Sequence, residues 1–409
     1  MRLLLFLLLI ALPFLLMAQF QSGSPYSAYG VGDLHWQGRG QSAGLAGAGI
    51  GLRSDAFLNL TNPAAYTAMR SPYSMALETG FSVLSRQLTT ATEDALQRDG
   101  GMTDIVLWLR PAKKWATVVG LEPYSQVGYS ILTQRQLDNV ESSYQLLNEG
   151  EGGLTRLFWG NAWQLAPQLS VGLNANFIFG SISQQERFLS TGQLGNFEVQ
   201  SETVLRGFNF DGGLQWAIPL GADEVTFGVV LQTDSRLWSR TDRELLSGID
   251  LLESEGDGNR DNYRVPVRYG FGSTYRRPNW LITAEASYEN WASLGLASDA
   301  TFVDTWSGTL AMEIAPFKDV YQDYFEAFTL RAGFSYRNSY LEIEGQSFGH
   351  WLASLGMGVP LGPQRNHLHL SYSFQNRGTP KNGLIAEQTH QITLGFTIRD
   401  VWFLQRKFN

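Results

Sequence analysis

The sequence predicts an all-β chain, a closed antiparallel transmembrane β-barrel of 14 strands with a small N-terminal plug in its lumen. Three observations carry this. Segment after segment alternates apolar or aromatic residues with polar or small ones, the period-2 signature of a strand whose two faces meet different surroundings. Aromatic residues (12 Trp, 16 Tyr and 24 Phe) recur at the ends of those segments, as they do at the two girdles of an outer-membrane barrel. Beyond the extreme N-terminus, no window is apolar enough for a membrane-spanning helix.

In chain order, Arg2 is followed by the apolar run Leu3 to Leu16, then Met17 and Ala18 before Gln19. A basic start, a short apolar run and a small residue at the cut make residues 1–18 an export signal. The run is short for a span of roughly 20 residues, and no basic stop-transfer cluster follows. The chain has no cysteine, so neither lipid attachment at the cut nor a disulfide is available. Residues 19–70 form the plug segment. Within it, Gly40 to Tyr66 is rich in Gly and Ala, which permits close backbone approach but builds no large core. Asn62-Pro63-Ala64 closes that stretch in an X-Pro turn, extended before the proline.

Residues 71–403 are the barrel and 404–409 a C-terminal tail. Strands are expected near 72–88, 103–111, 115–137, 139–165, 168–190, 196–218, 223–242, 262–276, 279–292, 300–316, 325–339, 347–360, 366–378 and 384–399. Alternation places Phe208, Phe210, Leu214 and Trp216 opposite Asn209, Asp211 and Gln215, and Phe328, Leu330, Phe334 and Tyr336 opposite Thr329, Arg331 and Ser335. Glu122-Pro123 interrupts the third strand, because proline cannot donate to a ladder. One set of connections is short, at 111–114, 166–167, 219–222, 277–279 and 360–363. The other is longer and more polar, at 89–102, 187–196, 240–262 and 339–347. Short periplasmic turns and long outer loops are the outer-membrane pattern, and an even strand count puts both ends in the periplasm. Glu78, Asp104, Asp211, Glu285, Glu289, Glu313, Arg268 and Arg331 then face inward, to pair with one another and with Arg39, Arg53 and Asp55 of the plug.

The Gly-rich segment, Asn62-Pro63-Ala64 and the strand count together resemble the FadL-like outer-membrane protein family, which transports long-chain fatty acids and other hydrophobic compounds. The resemblance implies that the N-terminal segment plugs the barrel and that the Asn-Pro-Ala motif lies within the plug. It further implies that a kink in the third strand, at Glu122-Pro123 or Gly128, opens the wall sideways to the bilayer. Two parts depart from it: Ser24 to Gly30 and the tail Arg406 to Asn409. Some relatives serve protein secretion or barrel assembly instead of uptake.

Other signals are weaker. Gly40-Gln41-Ser42-Ala43-Gly44 fits G-x-S-x-G but lacks the strand and helix of a nucleophile elbow, so no enzyme is expected. His367 and His369 share a strand face without a third metal ligand. Glu253, Glu255, Asp257 and Asp261 sit in an outer loop, where Arg264 spoils the calcium-loop spacing. No cofactor or metal is expected. Leu245, Leu246, Ile249, Leu251 and Leu252 cluster in the same loop. A short amphipathic helix there would offer an apolar landing surface to a ligand, or the leucines pack the loop onto the rim. A net charge of −8 without a basic stripe excludes nucleic acid. Two function classes remain for a protein of the cell outer membrane in contact with its lipid. One is a passive channel for a hydrophobic ligand such as a long-chain fatty acid. The other is a non-transporting scaffold or binding subunit of an envelope protein complex.

Overall fold

The computed structural model describes residues 23–35, 38–69, 73–136, 143–190, 197–247, 250–257, 263–294, 300–315, 328–361 and 366–401. The export signal and the tail lie outside the described residues. The barrel runs in chain order as β1 (Met75–Thr89), β2 (Asp94–Ala112), β3 (Trp115–Gln136), β4 (Ser143–Ala166), β5 (Leu169–Ser190) and β6 (Phe197–Leu220). β7 follows in two pieces (Asp223–Gln232 and Ser235–Ser247) and β8 in three (Asp250–Asp257, Tyr263–Val265 and Arg268–Arg276). Next come β9 (Trp280–Glu289), β10 in two pieces (Ala300–Phe302 and Thr305–Ile314), β11 (Thr329–Ile343), β12 (Gln346–Leu361), β13 (Asn366–Arg377) and β14 (Ala386–Asp400). Every neighbour pairs antiparallel, and β14 returns to β1 from Ala386↔Thr89 to Asp400↔Met75, so the 14-stranded wall closes.

The wall has an apolar outside. On β6, Phe208 and Phe210 are about half exposed while Leu205, Asn209 and Gln215 are buried. Turns are short at one end: Ala112 to Trp115, Ala166 to Leu169, Leu220 to Asp223 and Arg276 to Trp280. By the general rule this end is periplasmic. The wall is uneven at the other end, since β4 and β6 have 24 residues each but β9 only 10.

The N-terminal segment lies against the inward face in two layers. Near the outer end, Tyr26 packs with Trp291, Phe302, Tyr340 and Phe348, and Val31 with Val127, Leu154, Ile178 and Leu237. Near the periplasmic end, Leu58, Tyr66 and Met69 pack with Val106, Trp108, Val118 and Phe158.

Two sequence expectations are corrected here. The stretch 89–102 is largely strand: β2 begins at Asp94 and pairs with β1 up to Thr89↔Asp94. The leucine cluster is no helix. Leu245 and Leu246 belong to β7, Leu251 and Leu252 to β8, and the two strands form a projecting hairpin. β7 also pairs with β6 there, Leu245 opposite Val199. A ladder on both sides satisfies the backbone of β7, whereas a helix would leave the β6 edge unpaired. Ile249 lies outside the described residues.

Candidate functional site

The Asn-Pro-Ala turn is built as a cap. Asn62 has extended dihedrals and Pro63 opens a short 3-10 turn, Pro63–Thr67. The fixed φ of proline suits that first position. Asn62 is fully buried. Its Oδ1 accepts from Ala64 N at 3.0 Å, and its Nδ2 donates to Ile50 O at 2.8 Å and to Leu214 O at 3.2 Å. One amide therefore ties the turn to the segment before it and to the wall. The wall makes room with glycine: a methyl at Gly172 or Gly213 would collide with Pro63 or Asn62, and one at Gly228 with the carbonyl of Ile50.

Further ties surround this turn. Glu285 accepts from Gly49 N at 2.8 Å and Gly51 N at 3.2 Å. Gln41 donates to Glu313 at 2.5 Å, which also holds Arg331 at 2.7 Å. Thr67 donates to Ser170 at 2.8 Å, and Trp108 Nε1 donates to Tyr66 O at 2.9 Å. Of the charged residues of the N-terminal segment, Arg53 donates to Gln215 and Thr67, and the Asp55 backbone accepts from Arg399.

The second feature is a gap in the wall. β2 and β3 pair from Ala112↔Trp115 to Ile105↔Leu121, and no register pair follows. β3 stays paired to β4 as far as Gln136, with its irregularity between Pro123 and Ser125. The β2 ladder therefore ends just before Glu122-Pro123, where the missing N–H falls. The upper part of β3 is paired instead with the N-terminal segment, Asp33 and Leu34 lying opposite Gln126 and Ser125. Gly128 sits in regular register opposite Glu151. It serves as a landing point, because Gly23 packs directly on it and Gly128 N donates to Ser27 Oγ at 3.0 Å. Across from this bend, Gly152 and Gly153 of β4 take positive φ of 113° and 148°, a conformation other residues rarely adopt.

Arg39 spans the gap. Its Nε donates to Thr103 O on β2 and its Nη2 to Pro123 O on β3, each at 3.3 Å. Its Nη1 lies 2.8 Å from Glu122 Oε2, and Glu122 is held from the other side by Arg156. Gln126 of β3 donates to Asp99 of β2 at 2.6 Å. Behind the gap lies a cavity of about 410 Å³ whose lining includes Asp33, Arg86, Asp99, Gln126, Arg377 and Gln391. Asp33 pairs with Arg377 at 2.8 Å. Burial opposes the Asp33 charge, but the Arg377 guanidinium overrides it and holds the carboxyl below its ordinary range. Burial, with Arg39 nearby, pushes His35 down to about 4. Burial pushes the Tyr26 hydroxyl up to about 12.

The remaining sequence candidates do not join this site. Leu251 and Leu252 are exposed on the outer hairpin. His367 and His369 pack against the edges of Phe57, each at 4.8 Å. Ser42 Oγ closes a turn, donating to Arg39 O and accepting from Arg39 N at 2.9 Å each. Among the described residues no His, Asp or Glu group could hold a metal ion. Sequence reading missed Arg156 and the whole of Ser24 to His35. For Arg156 a signal existed, since it shares the inward parity of Leu154 and Phe158 on β4. For Ser24 to His35 there was none.

A family model described as BamG matches residues 1–409. No curated protein matches the chain. Among solved structures, the toluene transporter TbuX of Ralstonia pickettii superposes with a TM-score of 0.63 at 14% identity, over 89% of this chain and 99% of that one. The toluene transporter TodX of P. putida superposes with a TM-score of 0.62 at 14% identity, over 91% and 100%. At such identity the likeness is one of fold.

Proposed function

The chain belongs to the BamG family, and from that premise we propose that it is an outer-membrane barrel acting as a non-transporting scaffold or binding subunit of a larger envelope machine, of the kind that secretes proteins or assembles barrels. The observation that carries this reading is how the lumen is filled. Two packed layers of the N-terminal segment occupy it, and the space left over is lined by charged side chains set among apolar ones. A second cavity, of about 190 Å³, is bordered by Arg39, Glu78, Glu122, Arg156, Asp211 and Arg268 among others. Leu34, Ile50, Leu58, Val230 and Trp291 share that lining with the charges, so it falls short of the predominantly apolar wall that suits apolar cargo. The test is extraction in a gentle detergent followed by quantitative mass spectrometry. Stoichiometric protein partners are the expected result; a barrel that runs alone would sink the proposal.

A second reading is a passive outer-membrane channel for hydrophobic molecules such as long-chain fatty acids, with residues 19–70 as gate. The gap between β2 and β3 favours it, as does a fold shared with two toluene transporters. Under this reading Gly128→Leu, at the residue on which Gly23 packs, lowers uptake of a hydrophobic tracer in cells at equal barrel abundance. Equal uptake by variant and wild type removes its support.

A further inference from the structure

The outward face carries a feature that neither reading uses. Ascending the lipid-facing column of β6 from the periplasmic end, the side chains are Leu214, Phe210 and Phe208, and the first charge met is Arg206. On β7 the same ascent passes Phe227, Val229 and Leu231 before Arg236, Trp238 and Arg240. On β8 it passes Phe271 and Tyr269 before Arg264. Register draws these residues together: Arg206 lies between Phe179 and Trp238, Arg240 opposite Val204, and Arg264 opposite Arg236. Arg264 is paired with Asp234 at 3.3 Å and Arg240 with Asp242 at 3.5 Å. Arg206 and Arg236 have no ion pair or side-chain hydrogen bond among the described residues. This cluster stands on a chain whose net charge is −8.

Interleaved with it is an aromatic plate, with Phe179 and Trp238 on either side of Arg206 and Phe177 opposite Phe208 one step below. Phe177 stacks on Phe179 at 5.3 Å and meets Phe208 at 4.8 Å, and Phe208 meets Trp238 at 6.4 Å. Phe208 is 57% exposed and Trp238 43%. Trp at such a boundary marks the headgroup level of a membrane.

We propose that this face binds a phosphorylated glycolipid of the outer leaflet, with its phosphates on Arg206 and Arg236 and its acyl chains along Phe177, Phe179 and Phe208. A guanidinium offers a planar fork that matches a phosphate with two parallel hydrogen bonds. Arg206 and Arg236 stand on neighbouring strands about 4.8 Å apart and two residues out of step, since Arg206 lies opposite Trp238, which separates them by roughly 8 Å. That span suits a headgroup carrying two phosphates, which a phosphodiester lipid lacks.

The test uses the purified full chain in detergent and native mass spectrometry, with three probes: bis-phosphorylated lipid A, its dephosphorylated form, and phosphatidylglycerol. Wild type is expected to retain lipid A at least about tenfold better than Arg206→Gln with Arg236→Gln. It is also expected to lose the preference when the phosphates are removed. Equal retention of the two lipid A forms by wild type overturns the proposal, and that comparison needs no variant. Equal retention of phosphatidylglycerol overturns the glycolipid assignment. Heat-modified gel mobility verifies that the double variant is folded, and equal lipid A retention by a folded variant removes the two arginines from the site.

Discussion

Replacing Arg39 with glutamine tests whether one side chain holds the wall gap closed. Arg39 has a partly enclosed ion pair with Glu122 at 2.8 Å, where the two side chains are 17% and 1% exposed. Removing one partner of a buried pair costs about 3–5 kcal/mol when the survivor is stranded. Glu122 is not stranded, because Arg156 remains on its other oxygen. The loss of the ion pair therefore falls between the exposed and the stranded cases, about 2 kcal/mol. The two bonds to Thr103 O and Pro123 O are long, 3.3 Å each, and add about 1 kcal/mol together. The total, about 3 kcal/mol, corresponds to roughly a hundredfold rise in local opening. Hydrogen exchange reads this at His35, whose amide donates to Tyr124 O at 3.0 Å. The expected outcome is exchange of peptides across 31–39 faster by about two decades, with β5 to β7 unchanged as an internal control. Arg39→Lys should fall between, since an ammonium keeps the charge and loses the fork. Exchange altered by less than about threefold would refute the clasp.

Three other outcomes are expected. Asn62→Ala with Pro63→Ala removes the cap and the Nδ2 bonds to the wall, although Gln215 Nε2 still donates to Ile50 O at 2.9 Å, at a cost of about 1–2 kcal/mol; protease should cut residues 38–69 in membranes while the barrel stays folded, and unchanged protection counts against a holding role. Gly228→Val places a side chain against the Ile50 carbonyl and should expose the same region at a cost of about 1–3 kcal/mol, with unaltered cleavage as the contrary result. Acid should loosen the outer layer. His35 is held neutral down to about 4 against an ordinary 6.5, so the unfolded segment takes up its proton first and stability is complete above about 6.5, then falls toward 4. Asp33, held low by Arg377, acts in the same direction once it is protonated. Cleavage within 23–35 should therefore rise as pH drops from about 7.5 to 4.5, and His35→Gln should flatten part of that rise; the same cleavage at both pH values would dismiss it.

The strands were legible because parity alone decides which face meets lipid, and a slip of one residue would put Asn209 and Gln215 where Phe208 and Phe210 stand. The turns were legible from Pro219-Leu220-Gly221-Ala222 and Arg277-Pro278-Asn279. Asn62 was legible as a cap, because its amide is short enough to reach its own backbone. Pro123 announced a broken ladder but not which neighbour is lost, a matter decided by Asp33 and Leu34 taking β3's free edge. The leucines of the outer hairpin fit a helical spacing as well as a strand, and pairing with β6 overrode the local pattern. Ser24 to His35 has no periodicity, since each of its residues answers to a different part of the wall.

The chemistry of the gap bears on both functional readings. Wall strands that part leave backbone donors and acceptors facing open space, and such groups must find partners. Here part of that need is met by Arg39 and by the Asp33–Leu34 bridge, while Gln126 and Asp99 join the two edges through their side chains. A hydrocarbon moving through would displace these bonds and offer none in return, so every passage breaks polar contacts that nothing replaces. A channel for apolar cargo works best where its exit is lined by groups indifferent to what they touch. An edge held by polar bonds is suited to staying shut, and a barrel that stays shut leaves its outer surface and its rims as the places where it acts. The Arg39 variant therefore separates the readings. If the opened gap admits a hydrophobic tracer that the wild type excludes, the clasp is a seal; if the wild type already passes it, the clasp is a gate.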